Sequence, residues 1–183
     1  PLSTFFELLL DIHINESNTF YYKDVIAILN HPVTIHIIPE VQSILEGINS
    51  KNSTHLSFKA LCELATVSNV ESIQLLFGNW ENDPKTALNN CITLLLQLKI
   101  NYKENFVDLT VAHKLYAIFS KIDSLKSSYN HLKSTKTVHR LFTEFIATST
   151  IDFKGDAYNG LQIMGILETR VLDFENVILT SVN

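Results

Sequence analysis

Asp152-Phe153-Lys154 is the D-x-K half of a metal-dependent nuclease signature, in which a lysine stands beside carboxylates that hold Mg²⁺. That chemistry needs a second carboxylate close by. The nearest upstream candidate, Asp83 before Pro84, lies across several predicted helices, so no catalytic residue is assigned. The chain has no G-x-x-x-x-G-K-[ST] loop to cradle a triphosphate, no H-E-x-x-H zinc pair and no G-x-S-x-G nucleophile turn. His31 and His36 stand five apart across a proline, a poor ligand spacing, and no metal site is assigned. Cys62 and Cys91 both sit in apolar helical patterns and read as buried free thiols, which suits a reducing cytosol.

The stronger signal is cationic. Residues 113–140 carry Lys114, Lys121, Lys126, Lys133, Lys136 and Arg140 against Asp123 alone. Lys114 and Lys121 are one heptad apart and share a helix flank; Lys126 and Lys133 have the same spacing. His113, His131 and His139 add hydrogen-bond donors, and Tyr116 and Tyr129 add contact surface. Binding a polyanion needs cations held at the spacing of phosphates, with affinity drawn from counterion release. The competing reading is a solvated lysine face, which most exposed helices have.

The elements that must position these residues are helical up to about residue 150. Thr4 and Glu7 form a capping-box pattern ahead of an apolar run. A second helix covers Lys23–Asn30 and stops at His31-Pro32, because the residue before proline disfavours helix. Pro39 suits the first turn of a third helix, and Gly47 suits its end. Asn49–Thr54 reads as a polar loop and Phe58–Ala65 as a short helix. Ser68 and Glu71 form another capping-box pattern, with Gly78 as the stop. Asp83-Pro84 opens a helix running to about Ile100 that is apolar nearly all round and belongs at the centre of a bundle. Asp108 opens the longest helix, with Leu115, Ile118, Phe119, Ile122, Leu125 and Tyr129 on one stripe. Val138, Leu141, Phe142, Phe145 and Ile146 define the last. After Ser149 the pattern changes: Leu161–Ile166 and Val177–Val182 read as buried strands. No repeat is visible by eye.

Composition sets the frame. The chain has 183 residues, 46% of them hydrophobic and 18% charged, which excludes a disordered chain. The formal charge is −5, so residues 113–140 are a basic segment in an acidic protein. No apolar run approaches the length of a membrane span, and no signal-peptide pattern is visible. The expected location is cytoplasmic. The first residue, Pro1, is compatible with a mature terminus or with an excised piece of a longer chain.

The run from Gly160 to Leu179 resembles the fifth motif of UvrD/Rep-type superfamily-one helicases: a strand, a T-x-H turn, a K-G-L-E-F segment and a second strand. In that register Arg170 falls at the family's lysine, Leu172 at its leucine, Asp173 at its glutamate and Phe174 at its phenylalanine. Gly165 stands at the family's threonine, Leu167 at its histidine and Val171 at its glycine. In active helicases the threonine and histidine contact single-stranded DNA and the glutamate helps hold the nucleotide. Gly165 and Leu167 cannot make those polar contacts, and Asp173 keeps the carboxylate on a shorter arm. The pattern is similar to the AddB and RecC side of the superfamily, where the helicase fold persists without its motor residues. Those proteins belong to helicase–nuclease complexes that process broken DNA ends. Some also carry a PD-(D/E)XK nuclease domain, to which nothing here corresponds. The helix with its stop from Phe20 to Pro32 also looks like an AddB-family element.

The resemblance implies a mainly α fold. Residues 1–150 would be the multi-helix bundle of seven or eight helices inserted into the second RecA-like lobe of a UvrD-type helicase. Residues 151–183 would be lobe strands carrying the degenerate motif. The chain would then be an internal, non-catalytic fragment with no cofactor of its own, and ATP and Mg²⁺ would belong to the parent protein. That parent would be an ATP-dependent helicase–nuclease or its inactivated-motor subunit. Expected partners are duplex or forked DNA, contacted without sequence specificity, the rest of the parent chain, and a helicase–nuclease partner subunit; no membrane is expected. The rival class is a subunit-docking helical domain without DNA contact.

Overall fold

The structure is a computed structural model, and it describes residues 2–14, 18–51, 53–101, 106–128, 132–150, 163–165 and 175–180. The chain divides into two compact units, Pro1–Thr150 and Ile151–Asn183. The fold is mainly α. The first unit contains α1 (Leu2–Ile12), β1 (Thr19–Tyr21), α2 (Tyr22–Leu29), α3 (Val41–Lys51), β2 (His55–Ser57) and α4 (Phe58–Leu64). It continues with α5 (Val70–Phe77), α6 (Pro84–Asn101), α7 (Phe106–Ser128) and α8 (Thr135–Ala147). No described helix is long and apolar enough to cross a membrane.

Local signals place several boundaries. Asp83 caps α6, its Oδ2 accepting from the Thr86 N–H and O–H at 2.9 Å each, with Pro84 as the first helical residue. Replacing Asp83 with alanine is expected to cost about 1 kcal/mol of unfolding free energy in a urea titration. Ser134, which the sequence did not mark, caps α8 by accepting from Thr137 N. Gly78 stops α5, as its position suggests.

Four expectations are corrected. Thr4 lies inside α1, not at its cap, because the apolar face already begins at the buried Leu2. Gly47 lies inside α3 rather than at its end: a Cβ there would stand 2.5 Å from Leu64 Cδ2, so the glycine serves the close approach of α4. Ser68 does not cap α5; a short 3-10 turn, Val67–Asn69, precedes the helix, and Ser68 Oγ pairs with Thr66 Oγ1. The helix α6 buries Leu88, Cys91, Leu94, Leu95 and Leu98 but leaves Leu96 and Ile100 exposed, so it covers the core from one side.

The centre of the core is α1. Phe5, Phe6, Leu9 and Leu10 are fully buried. Phe6 meets Phe119 of α7 edge-on at 5.3 Å, and Phe119 stacks on Phe142 of α8 at 4.9 Å. Those three rings tie α1, α7 and α8 together.

The only described sheet joins β1 and β2 antiparallel, with Thr19 opposite Ser57, Phe20 opposite Leu56 and Tyr21 opposite His55. Each strand runs straight into a helix and follows one, so α1–β1–α2 and α3–β2–α4 repeat one unit. The repeat escapes the eye because most positions keep character rather than identity: Phe20 and Leu56, Tyr22 and Phe58, Val25 and Leu61, with few identical pairs such as Leu9 and Leu45, Ile12 and Ile48, and Lys23 and Lys59.

In the second unit, neither 163–165 nor 175–180 forms a strand, and Ile163, Val177, Ile178 and Leu179 are exposed. The expectation of buried strands therefore fails for these described residues. A strand needs a ladder partner for its N–H and C=O groups, and neither segment belongs to the described sheet.

Candidate functional site

The expected cations lie on α7, on α8 and on the connection between them. Lys114 and Lys121 are exposed on one flank of α7, and Lys121 Nζ sits 4.3 Å over the Phe145 ring of α8. Lys126 departs from that flank. Five residues on from Lys121, it is rotated by about 140°. It is half-buried, and its charge acts on Asp83. Burial pushes the Asp83 carboxyl up, but the bonds from Thr86, the Lys85 N–H and the Lys126 charge together hold it below the ordinary value. Lys126 and Lys133 do not share a helix, because α7 ends at Ser128 and α8 begins at Thr135.

Lys133, Lys136 and Arg140 are exposed, and Arg140 Nε pairs with Glu144 Oε1 at 3.2 Å on the outer face of α8. His113 is exposed, Tyr116 is 43% exposed, and His139 is half-buried with an Nε2 that has no partner. His131 and Tyr129 lie outside the described residues. The six expected cations therefore do not form one row. Lys114 and Lys121 line the α7 flank towards α8, Lys133, Lys136 and Arg140 follow the connection and α8, and Lys126 lies half-buried off that flank.

Of the helicase-like motif, Gly165 is described and exposed. Leu167, Arg170, Asp173 and Phe174 lie outside the described residues, as do Asp152 and Lys154. Among the described residues no group of three His, Cys, Asp or Glu side chains is placed to hold a metal ion.

A second feature went unmarked in the sequence. A cavity of 580 Å³ lies where the end of α1, β1, the β2–α4 junction and the α5–α6 loop meet. Its buried side holds His13, Phe20, Phe77 and Trp80, and Phe58 is half-buried beside them. His13 is stacked face to face on Trp80 at 3.8 Å and donates from Nε2 to the Leu76 carbonyl at 2.8 Å. The carbonyl only accepts, so Nε2 carries the proton of the neutral ring. Burial holds the His13 pKa down to about 4, against a smaller upward pull from that carbonyl.

The α5–α6 loop is held in an uncommon shape, with Glu81 at φ 52° and Asn82 at φ 49°, the left-handed region that non-glycine residues rarely occupy. Asp83 N donates to the Trp80 carbonyl at 2.8 Å, and Asn79 Oδ1 accepts from Glu81 N at 2.9 Å. Asn82 Oδ1 accepts from Thr135 N at 2.9 Å, which pins the loop to the start of α8. The only early signal was the clustering of Asn79, Asn82 and the single tryptophan between two helices.

Fold and surface together define a helical domain with a cationic two-helix face and a separate aromatic-based cavity. No family model matches the chain, and no curated protein or solved structure is significantly similar to it.

Proposed function

We propose that this chain is the helical part of an AddB-like helicase–nuclease that processes double-strand DNA ends in the cytoplasm, with a non-catalytic role: scaffolding, and contact with DNA phosphates through α7 and α8. The sequence resemblance of the Gly160–Leu179 run motivates the family. The observation that carries the DNA contact is the exposure of Lys114, Lys121, Lys133, Lys136 and Arg140, in a stretch whose one acid is Asp123. Contacts of this kind read charge and spacing, so the binding is non-sequence-specific. The ATP and Mg²⁺ chemistry is assigned to the parent protein.

The test is fluorescence anisotropy with a forked DNA. Four phosphate contacts predict a loss of about a hundredfold in affinity between 50 and 200 mM salt. Replacing Lys114, Lys121, Lys133 and Lys136 with glutamine is expected to remove most of that dependence. Lys126→Gln should change it less, because that side chain is half-buried and off the Lys114–Lys121 flank. Absence of binding at low salt, with the variants folded, would sink the reading. The docking reading would then stand, supported by Leu96 and Ile100, which are 48% and 61% exposed one turn apart on α6.

A further inference from the structure

We infer that the 580 Å³ cavity is a binding site for a small organic anion with an apolar body, of the aryl or alkyl phosphate or carboxylate class. This inference does not rest on the DNA reading, because none of the α7 or α8 cations lines the cavity. Its volume falls within the range of small-molecule sites, and it combines an apolar base with a few polar groups.

The hydrogen-bonding capacity left at the cavity sets the class. Each Asn amide atom that meets a backbone N–H must be the oxygen. Asn79 Oδ1 is therefore taken by Glu81 N and Asn82 Oδ1 by Thr135 N. Ser57 Oγ is taken as an acceptor by Ala60 N at 3.2 Å. The fold thus consumes these acceptors internally and leaves donors: the Asn79 NH₂, the Ser57 O–H and the Lys59 ammonium. The Trp80 indole N–H has no partner among the described residues, but it has no exposed surface either, so Trp80 offers a ligand its ring rather than this donor.

Among the described residues the lining contains one cation, Lys59, and one anion, Glu81, both exposed. Asn18 adds an amide of either polarity. Donors outnumber acceptors, so an anionic head group fits Lys59, Ser57 and Asn79. The aromatic side fits the apolar body. The Glu81 carboxylate opposes such a ligand, and this gives the proposal a charge signature.

Trp80 is the chain's one tryptophan, so its fluorescence reports on this cavity alone. The experiment titrates the full 183-residue chain with phenyl phosphate and benzoate, read by tryptophan emission and by calorimetry in parallel. Phenol and inorganic phosphate serve as the neutral and bodiless counterparts. Saturable binding of phenyl phosphate or benzoate is expected, tighter than that of phenol or inorganic phosphate. Lys59→Gln should weaken it about tenfold, and Glu81→Gln should tighten it about threefold. Both side chains are exposed, so neither change threatens folding. Three results would overturn the inference: no saturable binding of either anion at millimolar concentration, affinity unchanged in both variants, or the reverse signs in the two variants, which would indicate a cationic ligand.

Discussion

Phe119→Ala is expected to lower the unfolding free energy by about 3–5 kcal/mol. The ring is fully buried between Phe6, edge-on at 5.3 Å, and Phe142, stacked at 4.9 Å. Truncation removes its transfer free energy and leaves a void where three helices meet, and helix backbones cannot collapse fully to fill it. Domains of this size are stable by about 5–15 kcal/mol in total, so the variant loses a large share of its stability. Urea titration should show a much lower midpoint with the slope unchanged. Phe119→Leu keeps most of the volume and should cost clearly less. Ile100→Ala, on an exposed face of α6, should stay within about 0.5 kcal/mol. A loss of under 1 kcal/mol for Phe119→Ala would mean that the α1–α7–α8 junction is not the centre of the core.

The second large effect is a dependence of stability on pH that runs through His13. In the folded chain the ring accepts a proton only near pH 4, because it is buried against Trp80; unfolded, it titrates at its ordinary 6.5. Between those values the unfolded chain binds more protons than the folded one. Stability is therefore full above about pH 6.5 and falls as the pH drops towards 4, by about 3 kcal/mol in all from this group. Below pH 4 His13 adds no further slope. His31, held down by burial and then by the charge of the N-terminus, acts in the same direction, and so does Asp83, whose folded carboxyl lies below its ordinary value. The contribution of His13 is therefore read as a difference of differences. Unfolding free energies at pH 7.5 and 4.5 are compared for the native chain and for His13→Gln, which can still donate to the Leu76 carbonyl. The variant should be less stable at pH 7.5 and should lose about 2.5 kcal/mol less on acidification to pH 4.5. Equal acid losses in the two proteins would show that His13 titrates normally in the folded state.

The legible parts of this fold are those in which a few adjacent residues decide the backbone. Asp83-Pro84 opens a helix because a carboxylate two or three residues ahead satisfies free N–H groups and proline needs none of its own. His31-Pro32 closes one because the ring of proline clashes with a helical predecessor. The apolar stripe of α7 from Leu115 to Ile122 is read from its period and is buried as that period requires. The type and order of the long elements, and hence the mainly α class, follow from such signals.

Other features were decided only when distant segments met. The strands β1 and β2 are three residues each, too short for any period to register, and exist because Phe20 and Leu56 are brought opposite each other. Gly47 looks like a helix stop until α4 arrives over it. The heptad from Lys126 to Lys133 has the spacing of a shared face, but α7 ends at Ser128 and α8 begins at Thr135, so the two lysines do not share a helix. The cavity is the clearest case. His13, Ser57 and Trp80 come from three separated stretches of the chain. Whether an asparagine there offers an oxygen or an NH₂ depends on which backbone N–H it meets, as Asn82 meets Thr135 across 53 positions. Amino-acid identity supplied the helices, the charge and the apolar period, because those depend on neighbours in the chain. Packing supplied the strand pair, the division of the cations and the donor-rich cavity, because those depend on groups that become neighbours only in the folded state.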